Sequence, residues 1–93
     1  MDEPAFRQRM ETELEEWEAE LERWHSQDEH ATPNPQLRRE QQQMLDDLHE
    51  KRLQARRYLE DLSHGGDFIT LRPKMEQLWA EIRNSITAIR TWA

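Results

Sequence analysis

Apolar side chains recur along this chain at alternating steps of three and four residues, and the positions between them are charged or polar. Met10, Leu14, Trp17, Leu21 and Trp24 follow one another in that rhythm, with Phe6 one step before them. Such spacing lays one narrow apolar stripe along a helix, the a/d seam of a heptad repeat, and a stripe of that kind demands partner helices to cover it. A second run carries Leu37, Met44, Leu45, Leu48, Ala55, Tyr58, Leu59 and Leu62, and a third carries Leu71, Met75, Leu78, Ile82, Ser85, Ile89 and Trp92.

Punctuation between the runs fixes the elements. Asp2 and Glu3 place negative charge at the positive end of a helix dipole, and Pro4 falls where a first-turn proline is tolerated. Pro33 and Pro35 each remove a backbone donor and disfavour helix in the residue before them, so they end the first helix, while Asn34 and Pro35 suit the N-cap and first position of the next. Gly65 suits the left-handed position past a helix end, with His64 at the negative pole of the dipole. Thr70 is the expected N-cap of the third helix, with Pro73 inside its first turn. The prediction is one helical domain over residues 1–93, with helices at about 3–30, 35–63 and 71–92. Short turns between them give an all-α, three-helix antiparallel (up-down-up) coiled-coil bundle.

The seams are not uniform. With Leu45 at a and Leu48 at d, Arg52 occupies the next a position and Gln41 the preceding d. The expectation is an arginine that buries its methylene stem and brings its guanidinium to the edge. The alternative is an ion pair with a first-helix glutamate that fixes register. In the third helix, Trp79, Ile86 and Ala93 each lie one residue beyond a seam position and widen the stripe. That helix either sits between its neighbours or carries an extra surface for a second copy. The candidate interaction surface is Trp79 and Ile86 with Arg83 and Arg90, and self-association, as in a homodimer, is expected through it.

Composition narrows the function classes. Of 93 residues 34% are apolar and 35% charged, which allows a thin core only. Two glycines and four prolines suit long helices with few turns, so strands should be absent. Without cysteine there is no disulfide framework and no thiolate metal site. The net charge of −7 is concentrated at one end, since residues 1–30 hold eleven acids and three bases. A duplex nucleic acid would be repelled by that face. The face is either a solvated surface or a docking surface for something basic. No basic and apolar leader opens the sequence, and no run approaches the roughly 20 apolar residues of a membrane span, so the expectation is a soluble, unexported, cytoplasmic protein.

Candidate chemistry is sparse. Glu22 and His25 form Glu-x-x-His, and Asp46 and His49 a related Asp-x-x-His, the spacing by which helical bundles hold paired metals. Both pairs fall at b and e of their heptads and so point away from the bundle axis, and a second Glu-x-x-His with bridging glutamates is missing. Ser26, Ser63 and Ser85 lie at a helix end, a turn and a seam position without an evident base. No catalytic residue, cofactor or metal site is therefore assigned, and the protein is expected not to be an enzyme. The end of the third helix, from Ile86 to Ala93, is apolar with basic and aromatic residues, which keeps a membrane-surface protein as the alternative function. A carboxylate–histidine metal binder is the third.

One resemblance covers nearly the whole chain. Glu16-Trp17-Glu18-Ala19-Glu20-Leu21, then Leu48-His49-Glu50-Lys51-Arg52 with Ala55 and Leu59, then Gly66-Asp67 and Leu78-Trp79, resemble short bacterial three-helix coiled-coil proteins, often described only as stress-response proteins. The Pro33 and Pro35 linker, Pro73 and a preference for Arg over Lys depart from that pattern. The resemblance implies the same bundle, acting as a structural or protein-interaction module, and brings no catalytic residue with it.

Overall fold

Three helices account for the structure, a computed structural model that describes residues 2–27 and 35–91: α1 over Glu3–Gln27, α2 over Pro35–Ser63 and α3 over Phe68–Arg90. No strand occurs among the described residues. The helices pack side by side in a rod of 47 × 19 × 18 Å. Trp79, Arg83 and Arg90 of α3 meet Met10, Glu13 and Glu20 of α1 in the same order, so these two run parallel, and α2 runs against both. The chain is an up-down-up bundle.

Local chemistry explains each end. Asp2 caps α1, its Oδ1 accepting from the Ala5 amide at 3.0 Å and its carbonyl accepting from Phe6. α2 begins at Pro35; Asn34, its expected cap, and the helix-ending Pro33 lie outside the described residues, as do Trp92 and Ala93. α2 stops at Ser63 because Gly65 turns left-handed at φ +88° and the Gly66 amide reaches back to the Asp61 carbonyl at 2.7 Å. α3 starts three residues earlier than the sequence suggested. Asp67, not Thr70, is its N-cap: Asp67 Oδ1 accepts from the Ile69 amide at 3.1 Å, while the Thr70 hydroxyl donates to Oδ2. A carboxylate placed before the turn outcompetes a hydroxyl and draws Phe68, Ile69 and Thr70 into helix. Pro73 consequently lies in the second turn, where the helix forgoes the bond to the Ile69 carbonyl. Ile69 is 83% exposed, so water can serve that carbonyl.

The two glycines of this turn do different work. Gly65 needs the positive φ that a side chain disfavours, yet a Cβ there would meet open space. At Gly66 a Cβ would sit 2.6 Å from the Asp61 carbonyl oxygen and 2.7 Å from Leu71. Gly65→Ala is expected to cost about 1–2 kcal/mol through backbone strain. Gly66→Ala should cost about 1–3 kcal/mol through the forced displacement. Urea denaturation separates them from wild type, and Gly65→Asn should recover part of the first loss because Asn tolerates the left-handed region.

Inside the rod the core is continuous for most of its length. Phe6, Met10, Leu14 and Trp17 of α1, Leu48, Ala55, Leu59 and Leu62 of α2, and Met75, Leu78, Trp79, Ile82, Ile86 and Ile89 of α3 are buried. Phe6 closes one end, packed edge-on to Phe68 at 5.3 Å between centroids with the Arg72 guanidinium over both rings. Leu21, Trp24, Leu45 and Leu71, also seam positions, are only partly buried.

Candidate interaction groove

The surface expected on α3 does not exist in the form the sequence suggested. Trp79 and Ile86 are each 1% exposed. Both lie in the core, and Trp79 faces α1: its Nε1 donates to the Met10 carbonyl at 3.1 Å, deep in the bundle. Arg83 and Arg90 are exposed, but Arg83 reaches Glu13 at 2.9 Å and Arg90 Nε reaches Glu20 at 3.1 Å. α3 therefore sits between its neighbours, and its wide stripe is consumed within one chain because two helices, not one, must be covered.

What lies open is the opposite end of the rod. The last residue of α3, Arg90, stands beside Glu20, whereas α1 continues to Gln27, about two turns or roughly 10 Å further. α2 returns along that extension. Where α3 ends, burial falls: Trp17 and Leu48 are buried, but Leu21, Trp24, Met44 and Leu45 are half-buried. Between α1 and α2, on the side away from α3, these helices frame an open groove of about 680 Å³. The half-buried Leu21 and Leu45 with the exposed Ala19 are its apolar lining, and Glu15, Glu22, Asp46 and His49 line it as well.

Arg52 crosses this groove from its seam position. Its stem is enclosed, as expected of an arginine in a seam, but the guanidinium pairs across the helices, which was the alternative: Nη1 donates to Glu18 Oε2 at 3.0 Å. Nη2 lies 3.3 Å from His49 Nδ1, and the buried Nε has no hydrogen-bond partner among the described residues. Arg56 joins on the other carboxylate oxygen of Glu18. Burial alone would raise the Glu18 pKa, but hydrogen bonds and charge from Arg56 and then Arg52 outweigh it and hold the carboxyl below its usual 4.5. Glu18 thus contributes stability above that value and loses it as pH falls below it. Glu18→Gln should lower stability by about 0.5–1 kcal/mol at neutral pH, the size of a partly solvated pair. The gap between the Glu18→Gln variant and wild type should narrow as urea titrations are repeated from about pH 6 down to about pH 3. A gap that stays constant would show that the carboxylate charge contributes nothing.

Three of the four residues with metal-ligand spacing fall around this groove rather than inside the bundle. Glu22, Asp46 and His49 line it, and the side chains of His25 and Ser26 lie outside the described residues. Among the described residues, no three His, Asp or Glu side chains converge as a metal ion would need. Ser63 donates to the Leu59 carbonyl and Ser85 is half-buried in α3. No described helix is long and apolar enough to cross a membrane. Heptad spacing alone does not reveal the groove, although its signals are present in the sequence: Arg52 at a, and Glu22, Asp46 and His49 at b and e. No protein-family model, curated protein or solved structure matches this chain.

Proposed function

We propose that this protein is a non-enzymatic interaction module that acts by taking a partner against the outer α1–α2 surface. The observation that carries this reading is the open groove between α1 and α2, in which the half-buried Leu21 and Leu45 lie among acidic side chains. A partner laid on this surface would complete the burial of Leu21 and Leu45, a fraction of the about 1.5–3 kcal/mol that full burial of such a side chain contributes. The resemblance to short bacterial coiled-coil proteins supports the same reading and extends the proposal to a stress-related role in the cytoplasm. A protein partner fits better than a membrane, since the acidic side chains along the groove oppose anionic lipid.

Site-specific photo-crosslinking in living cells tests the reading. A photoreactive residue replacing Glu22, in the groove, should give a discrete adduct. One replacing Gln77, exposed on α3, should not. Identical adduct patterns at the two positions would overturn the proposal.

A further inference from the structure

We infer that the occupant of the α1–α2 groove is an amphipathic helix rich in Lys and Arg, contributed by a partner protein. The inference rests on the interaction reading above and specifies the chemistry of the partner.

Shape comes first. The groove is framed by two antiparallel helices and follows them from Glu15 to Glu22 on one side and from Gln42 to Arg52 on the other. That is two to three turns of helix, a span of roughly 10–15 Å. A fourth helix laid along two others is the ordinary way to extend a bundle, and Ala19 lets its backbone come close. The floor of Leu21 and Leu45 suits a narrow apolar stripe, with residues spaced in threes and fours.

Charge decides the rest. Four carboxylates, at Glu15, Glu18, Glu22 and Asp46, border the groove against one guanidinium, Arg52. Arg52 and Arg56 already engage Glu18, and Arg56 also feels the charge of Glu15, so Glu22, Asp46 and the remaining field of Glu15 set the potential that an incoming helix meets. Positive side chains flanking an apolar stripe would lie opposite them and gain both steering and register. A second copy of this chain is a poor occupant. Its α1 carries the same acids, and the α3 arginines 83 and 90 are committed to Glu13 and Glu20 of their own chain.

The probe is a synthetic helical peptide with Leu at i, i+3, i+4 and i+7 and Lys elsewhere, titrated into the isotopically labelled full chain. A sister peptide with Glu in place of Lys is the control. The Lys peptide should give saturable amide shifts clustered at Ala19, Leu21, Leu45 and His49, and the Glu peptide none. The triple variant Glu15→Lys, Glu22→Lys, Asp46→Lys should bind the Lys peptide at least about tenfold more weakly, the combined size of three surface ion pairs. A charge-matched control, Glu50→Lys, Glu60→Lys, Glu81→Lys, lies on exposed positions elsewhere and should keep its affinity within about twofold. Circular dichroism verifies that both variants stay folded.

Shifts spread over every acidic surface, equal binding of the Glu peptide, or equal loss in both triple variants would overturn the inference. A mass that doubles with concentration and is broken by the groove variant would replace the basic helix with a second copy. If crosslinks at position 22 persist in cells while the Lys peptide fails to bind, the interaction reading stands and the basic-helix inference falls. If the crosslinks are absent, the interaction reading falls first.

Discussion

Trp79→Ala is expected to lower the unfolding free energy by about 3–5 kcal/mol, the range for removing a large aromatic side chain from a closed core. Trp79 is the largest fully buried side chain, 1% exposed, and it spans the space between α3 and α1 to reach the Met10 carbonyl. Nothing nearby can fill the void, because Leu14, Met75 and Ile82 are themselves fully enclosed and held on helices. For a bundle of 93 residues, whose whole stability is on the order of 5–10 kcal/mol, that loss approaches unfolding at 37 °C. Trp79→Phe separates packing from the hydrogen bond. It should cost less than the alanine variant, about 1–2 kcal/mol, since a ring remains and the Met10 carbonyl lies within a helix. Chemical denaturation followed by circular dichroism measures both. Near-neutral behaviour of Trp79→Ala would mean that this side chain does not bridge the helices in solution. The same burial means that Trp79→Glu should unfold the chain instead of merely separating two copies.

Leu48→Ala and Leu45→Ala form the second expectation, with opposite outcomes one helical turn apart. Leu48 is fully buried beside the core, and its truncation should cost about 2–5 kcal/mol. Leu45 lies in the groove floor, half-buried, where water or a partner can take the vacated space, and its truncation should cost less than about 1 kcal/mol. If the two variants proved equally destabilising, the core would continue past the end of α3 and the groove would be an ordinary part of the interior.

The helices themselves were legible in the chain. Steps of three and four residues name the seam on each, and Pro35 and the Gly65 turn bound α2 as the structure has it, because prolines and positive-φ glycines act through local sterics. The start of α3 was misplaced because Asp67 and Thr70 are both competent caps. Which of them takes the role depends on where the chain leaves the preceding turn. The direction of the Trp79 and Ile86 stripe was open for a deeper reason. Periodicity states which residues share a face, while the number of neighbours covering that face is a property of the assembled bundle. The groove lay beyond reach for the same cause: it depends on how α1 and α2 pack against each other, which brings Leu21, Leu45 and their acidic neighbours onto one outer surface. Arg52 illustrates the limit, since its a position was plain but its partner, Glu18, lies 34 residues away.

The connection through Gly65 and Gly66 bears on how the molecule assembles. α2 and α3 are joined by a turn closed by its own hydrogen bonds and share the most extensive contact of the three helix pairs, whereas α1 meets α3 across some 70 positions of chain. Contacts near in sequence form before those that must close a long loop. The α2–α3 hairpin, with the most extensive contact, is thus expected to be the more persistent pair, and α1 is the strut whose amides should be first to exchange with deuterium when the native state breathes.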